Sequence, residues 1–138
     1  MEKRRLLRML LAASFLLMLA GSAAQAADIT VDGTNCTLAE AITSANNDSA
    51  SGNGCVDGSG ADTIILQTDV ILAAALPQIS STITIEGGSH FISGNNDAAV
   101  GTVLIVASTG SLTLSGTVAG TNGITKTGSG TLTLSGTS

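Results

Sequence analysis

Short runs that alternate apolar and polar residues recur along most of the chain after residue 62. One set of runs spans 63–66, 82–85, 103–106 and 123–126, and a second set spans 69–72, 90–93, 111–114 and 131–134. Successive starts within each set lie 19 to 21 residues apart. Alternation with period 2 predicts strands that bury one face. A sequence period near 20 predicts a solenoid, in which each turn buries its apolar side against its neighbours.

The run 112–115 illustrates the expected orientation of the side chains. Leu112 and Leu114 should point inward, whereas Thr113 and Ser115 should face solvent. Strands one turn apart run in the same direction, so we predict parallel sheets. The alternative, a sandwich of antiparallel strands, is disfavoured because hairpin-linked strands recur every 8–12 residues.

Residues 27–62 have a different pattern. Residues 27–31 alternate and predict one strand, and 48–61 form a polar, Gly-rich loop. Between them, Thr37 and Glu40 have the spacing of a capping box at the start of a helix. The apolar stripe of that helix comprises Leu38, Ala41, Ile42 and Ala45. We therefore predict an α-helix that ends near residues 46–48.

The first 26 residues resemble a removable leader. A basic head precedes an apolar stretch, and the segment ends in Ala24-Gln25-Ala26, which has the A-x-A pattern of a signal peptidase site. A transmembrane anchor is disfavoured, because the uninterrupted apolar stretch 9–20 falls short of the roughly 20 residues of a spanning helix. We predict a signal peptide over 1–26, an N-terminal unit over 27–62 and the repeat region over 63–138.

Charge excludes some partners once the leader is set aside. Lys126 is then the only cation, against nine acidic residues. Such a surface cannot neutralise a row of phosphates, so nucleic-acid binding is excluded, and an anionic membrane would repel it. Phe91 is the only aromatic residue left, so the core must be thin and aliphatic.

Cys36 and Cys55 are the only cysteines, and they bracket the predicted helix. An even number of cysteines in an exported chain predicts a disulfide. A metal site is disfavoured because the sequence has no C-x-x-C pair and no His near either cysteine.

Residues 123–137 closely resemble the autotransporter-associated β-strand repeat, which occurs in the secreted passenger regions of bacterial autotransporters. The matching motif residues are Lys126, Gly128, Gly130, Leu132, Leu134 and Gly136. The segment 35–42 is similar to the Cys-Ser-Leu-x-Glu-Ala-Ile opening of exported bacterial β-helix proteins, including polymorphic outer-membrane proteins, with Thr37 in place of Ser. These resemblances imply an all-β, right-handed parallel β-helix with about 20 residues per turn and a short N-terminal capping α-helix.

The resemblance also implies a function. We expect a structural or adhesive passenger segment, exported through the inner membrane to the cell surface, the outer membrane or the medium. Its partners would be the export machinery and an outer-membrane barrel in the same protein, together with a host or surface ligand that the sequence does not identify. The chain ends at Ser138 inside a repeat, so we expect a longer protein. The alternatives are the N-terminal part of a β-helix lyase or glycosidase and a stand-alone secreted binding protein.

The sequence predicts no catalytic, cofactor or metal site. Asp57, Asp62 and Asp69 are the only local group of carboxylates, and Asp57 lies in a Gly/Ser loop where Asp normally serves turns. His90 has no partner at the spacing of metal ligands. Thr-x-Thr pairs resemble the flat Thr ladders of some ice-binding β-helices, but they shift between the two sets of runs and so predict no single array. These pairs are Thr82/Thr84, Thr125/Thr127 and Thr131/Thr133.

Overall fold

The computed structural model of the chain describes residues 25–52, 54–94, 101–121 and 123–136. The predicted signal peptide lies outside these residues, apart from positions 25 and 26. The described part contains one helix, α1 (Leu38–Asn47), which lies between the first two strands. The strands are β1 (Asp28–Val31), β2 (Ala61–Leu66), β3 (Val70–Ile71), β4 (Thr82–Glu86), β5 (Phe91–Ser93), β6 (Leu104–Val106), β7 (Ser111–Leu114), β8 (Thr117–Ala119), β9 (Ile124–Lys126) and β10 (Thr131–Leu134).

All strand pairs in the described residues are parallel, and they form three sheets. The largest has the order β1-β2-β4-β7-β10. The second has the order β3-β5-β8, and the third pairs β6 with β9. An isolated parallel bridge joins Ile79 to Val106 of β6. The protein is thus mostly strands in parallel sheets, with one short helix.

The core consists of apolar positions that stand in register across the five-stranded sheet. One column is formed by Ile29, Ile64, Ile85, Leu114 and Leu134. The first four are at most 1% exposed. The predicted alternation of residues 112–115 is confirmed, because Leu112 and Leu114 are buried whereas Ser115 is exposed. The period-2 pattern therefore identifies the buried face correctly.

The predicted grouping of the runs into two sets is wrong after β5. β2 pairs with β4 of its own set, but β4 then pairs with β7, and β7 pairs with β10, which both belong to the other set. β6 and β9 form a separate sheet. The reason is a longer connection, since Thr82 pairs with Ser111, 29 positions later, whereas Ser111 pairs with Thr131 after 20. This longer connection contains β6, which pairs with β9 and is bridged to Ile79. These residues form a third strand position, separate from the two that the sequence predicts.

Helix α1 closes one side of the first strands. Its predicted stripe is buried, and the helix contacts β1, β2 and β4. The predicted boundary between residues 62 and 63 falls inside β2, which pairs with β1 on one side and β4 on the other. The helical unit and the repeat region therefore share one continuous sheet.

Candidate functional site

The predicted capping box and the predicted disulfide are both present at the start of α1. Thr37 Oγ1 accepts a hydrogen bond from the backbone N–H of Glu40 at 3.3 Å, and the Glu40 carboxylate accepts one from the backbone N–H of Thr37 at 2.9 Å. These two bonds form the capping box. Cys36, next to the cap, forms a disulfide with Cys55, with their Cα atoms 4.8 Å apart. The helix start is thus fixed to the loop that follows the helix.

Asp32 organises the turn that leads into this helix. Its Oδ1 accepts hydrogen bonds from the backbone N–H groups of Thr34, Asn35 and Cys36, at 2.7 to 3.1 Å. Its Oδ2 accepts one from the side-chain amide of Asn35 at 2.8 Å. These bonds hold the pKa of Asp32 well below its usual range. The side-chain bond from Asn35 has the largest effect, and the three backbone bonds lower the pKa further. The backbone and side-chain bonds from Thr37 likewise lower the pKa of Glu40.

Asn46, near the end of α1, ties the helix to the segment before β4. Its side-chain amide donates to the carbonyl of Gln78 at 2.7 Å. Its carbonyl oxygen accepts from the backbone N–H groups of Ser80 at 2.8 Å and Ser81 at 3.2 Å. The sequence marks Asn46 only as part of a helix-ending run, because bonds across more than 30 positions leave no local signal.

The repeat-motif residues lie in β9, β10 and the turn between them, except Gly136, which follows β10. β10 is the edge of the five-stranded sheet opposite β1. Lys126 Nζ donates to the carbonyl of Gly128 at 2.8 Å, which fixes this turn. Gly128 has a φ of +79°, a conformation that L side chains rarely adopt. A Cβ at Gly130 would collide with the carbonyl oxygen of Gly110. The motif glycines therefore allow the backbone turns of neighbouring strands to approach closely.

Hydroxyl groups in the turns bond to backbone carbonyls of the neighbouring turn. Thr127 Oγ1 donates to the carbonyl of Val106 at 3.2 Å, and Ser129 Oγ donates to that of Ser108 at 3.2 Å. Ser135 Oγ donates to the carbonyl of Leu114 at 3.4 Å. These hydroxyls are used by the fold.

A second group of hydroxyls lies on the outer side of the five-stranded sheet, and we call it the hydroxyl face. It consists of Thr63, Thr82, Thr84, Ser111, Thr113, Thr131 and Thr133. The strand register places these residues in two adjacent columns, one of which runs from Thr63 through Thr84 and Thr113 to Thr133. The expectation that no single array forms is therefore wrong for the pairs of β4 and β10, whereas Thr125 lies in β9 of another sheet. It assumed that β4 and β10 belong to different sheets, whereas β7 joins them.

The side chains of the hydroxyl face make no hydrogen bond to other described residues, in contrast to the turn hydroxyls. The seven positions carry no charge, and all are exposed or half-buried. Threonine has few side-chain rotamers, so its hydroxyl and methyl groups are held in a fixed pattern. The face thus presents ordered donors and acceptors that the fold itself does not use.

The three carboxylates considered in the sequence lie in separate structural contacts. Asp57 accepts from the backbone N–H of Ala50. Asp62 Oδ1 accepts from the backbone N–H groups of Ala27 at 2.9 Å and Ser59 at 2.8 Å. Asp69 Oδ1 accepts from the backbone N–H of Phe91 at 3.3 Å and lies 3.1 Å from Nδ1 of His90. Each carboxylate therefore accepts hydrogen bonds from the backbone, and those of Asp62 and Asp69 also join neighbouring turns of the chain.

Within the part of the chain that the structure describes, no cluster of three or more His, Cys, Asp or Glu residues is arranged to hold a metal ion. Among the same residues, no helix is long and apolar enough to cross a membrane. Compared with known protein families, curated proteins and solved structures, the chain gives no significant match.

Proposed function

We propose that this chain is a structural and adhesive segment of an exported, autotransporter-like protein, displayed at the cell surface. Its role would be to form a rigid scaffold that holds a contact surface away from the cell. Export machinery and an outer-membrane barrel within the same protein would be its partners. The resemblance of 35–42 and 123–137 to exported β-helix proteins supports this proposal.

The order in which strands enter the sheets supports a right-handed parallel β-helix as the scaffold. β4, β5 and β6 belong to three different sheets, and β7, β8 and β9 enter the same three sheets in the same order. Connections between parallel strands of one sheet are right-handed in about 98% of cases. A winding of this kind adds length by stacking turns, with each turn stabilised mainly by its neighbours.

The hydroxyl face is the single observation that carries the adhesive part of the proposal. Its two columns repeat with the strands, so a longer helix would extend the same surface. The Thr and Ser side chains can both donate and accept hydrogen bonds, and none is used by another described residue. A surface of this type suits many weak contacts that add up along its length.

Attachment of producing cells tests this proposal. The gene in full is expressed in Gram-negative cells, and surface display is quantified with an antibody against residues 27–138. Adhesion to polystyrene and settling of the culture are then measured. We expect display to increase attachment or settling. We expect the double substitution Thr84→Lys with Thr113→Lys to remove the increase, because two long cationic side chains in the middle of one column interrupt the hydroxyl face.

Thr125→Lys is the matched control, because Thr125 is an exposed threonine of β9, outside the five-stranded sheet. We expect this variant to be displayed and to attach like the unchanged protein. Equal attachment by cells with and without the displayed protein would contradict the adhesive role. Absence of the protein from the surface would contradict the proposal as a whole.

A further inference from the structure

Asp62 is the one acidic residue in the buried core of the described chain, and only half of its carboxylate is satisfied. The residue is 1% exposed. Its Oδ1 accepts two backbone hydrogen bonds, from Ala27 and Ser59. Its Oδ2 is buried and has no hydrogen-bond partner among the described residues. A buried carboxylate oxygen without a partner is costly, so its position calls for a further donor or a positive charge.

Among the described residues, Ala27 is the first in the chain that makes hydrogen bonds to the rest of the fold. Its carbonyl accepts from the backbone N–H of Thr63 at 2.8 Å, which starts the pairing of β1 with β2. Its nitrogen lies 2.9 Å from Oδ1 of Asp62. Gln25 and Ala26, immediately before it, are exposed and make no hydrogen bond to other described residues. Their removal would therefore break no described hydrogen bond.

The predicted signal peptidase site coincides with this point. Cleavage after Ala26 hydrolyses the peptide bond between Ala26 and Ala27. Water supplies the hydroxyl of the new Ala26 carboxyl group and the hydrogen of the new Ala27 amine, which takes a further proton from solvent near neutral pH. The nitrogen that donates one hydrogen bond as an amide would then carry three N–H donors and a positive charge.

We propose that signal-peptide cleavage creates an ion pair between the new α-ammonium group of Ala27, which is half-buried, and the buried carboxylate of Asp62. The pair forms without moving the strand, because the nitrogen already lies at hydrogen-bond distance from Oδ1. The additional N–H donors supply the kind of partner that Oδ2 lacks. The inference rests on the export step of the proposed function, and it assigns Asp62 the role of locking the N-terminus of the processed protein.

Formation of this ion pair would make the cleaved protein more stable than the uncleaved one. Before cleavage, a neutral amide faces a buried carboxylate. After cleavage, the carboxylate has a charge partner, and removal of one partner of a buried pair is strongly destabilising. The first strand of the five-stranded sheet would thus be held most firmly in the exported, cleaved form.

The test uses the protein expressed with its own leader and purified from the exported fraction. Mass spectrometry and N-terminal sequencing determine the first residue, which we expect to be Ala27. A matched variant carries one alanine inserted after Ala26, so that cleavage at the same site leaves the ammonium group one residue away from Asp62. Both are combined with Asp62→Asn, giving four proteins.

We expect the insertion to lower the thermal unfolding midpoint by more than roughly 5 °C when Asp62 is present. In the Asp62→Asn background the insertion should have little effect. An equal loss in both backgrounds would overturn the inference, because the ammonium group would then act independently of Asp62. A mature protein that starts at another residue would also overturn it, while leaving surface display intact.

Amine labelling provides a second measurement that does not require Asp62→Asn to fold. Lys126 carries the only other amine after residue 26, and its side chain is exposed. In the folded, processed protein we expect an acylating reagent to modify Lys126 and to spare the α-amine, whereas both react in the insertion variant. Equal labelling of both amines in the unchanged protein would contradict the ion pair. A chain that stays in the cytoplasm with its leader attached would overturn this inference and the proposed function together.

Discussion

Leu114 and Leu134 pair in the register of β7 and β10, yet Leu114 is 1% exposed and Leu134 is 58% exposed. The two residues occupy equivalent positions of an identical hexapeptide, Leu-Thr-Leu-Ser-Gly-Thr, which occurs at 112–117 and again at 132–137. Leu114 is covered by Ile85 on one side and Leu134 on the other, whereas Leu134 has a described strand on one side only. An apolar position on the inner face of a strand is therefore buried only where neighbouring turns cover it on both sides.

This relationship predicts unequal effects of the same truncation. Leu114→Ala should lower the free energy of unfolding by about 2–5 kcal/mol, because it opens a cavity inside the column. In a protein made of residues 27–138 alone, Leu134→Ala serves as the matched control and should cost less than about 1 kcal/mol. Urea unfolding followed by far-UV circular dichroism measures both. Equal losses would contradict the stacked column.

The disulfide should stabilise the N-terminal unit. Cys36 and Cys55 are 19 positions apart, and closing a loop of this size is worth roughly 3 kcal/mol in the unfolded chain. We expect the double substitution Cys36→Ala with Cys55→Ala to reduce the free energy of unfolding by about that amount. Reduction of the unchanged protein with dithiothreitol should have a similar effect and leave the double variant unaffected. A stability that does not respond to reduction would count against a structural role for the bond.

Glycine at position 130 should be required by the approach of the neighbouring turn. Gly130→Ala places a methyl group against the carbonyl oxygen of Gly110, so the turns must separate. The expected cost is about 1–3 kcal/mol in the free energy of unfolding. Gly123 is the control, because a Cβ there meets no atom within 4 Å. If Gly123→Ala proved as destabilising as Gly130→Ala, the close approach would not be the cause.

Acid should weaken the turn before α1. Hydrogen bonds from Asn35, Thr34 and Cys36 hold the pKa of Asp32 below its unfolded value of about 3.9. A depressed pKa means that the folded state binds fewer protons, so this stabilisation is complete above pH 4 and is lost progressively as the pH falls below it. Asp32→Asn should lower the unfolding midpoint at pH 7, and the difference from the unchanged protein should shrink between about pH 4 and pH 2.

Glu86→Gln is the control for this experiment, since Glu86 is exposed and its side chain makes no hydrogen bond to other described residues. Its effect on the unfolding midpoint at pH 7 should be small, because the substitution removes no described side-chain contact. A difference between Asp32→Asn and the unchanged protein that stayed constant down to pH 2 would show that the charge of Asp32 does not contribute.

Local features of the sequence predicted the local structure well. The capping box at Thr37 and Glu40, the buried helix stripe and the pairing of Cys36 with Cys55 all involve residues close in sequence. Period-2 alternation also predicted which side chains of 112–115 are buried, because sheet geometry enforces it.

The long-range pairing could not be predicted in the same way. β6 and β7 have similar alternating patterns, and nothing in either strand states which sheet it joins. The longer connection between β4 and β7 decides that choice, and it brings Thr84 and Thr113 into one column. The contacts of Asn46 with Gln78 and of Asp62 with Ala27 were missed for a related reason, since the two residues of each pair are more than 30 positions apart.

We propose that this chain is part of a large protein displayed outside the cell, and one measurement tests this proposal most directly. Cells that express the gene in full are fractionated, and the product is detected with an antibody against residues 27–138, with its intact mass determined. We predict a species much larger than this chain, located in the outer membrane and accessible on intact cells. A product that remains in the cytoplasm, or a soluble product with the mass of residues 27–138 alone, would contradict the account.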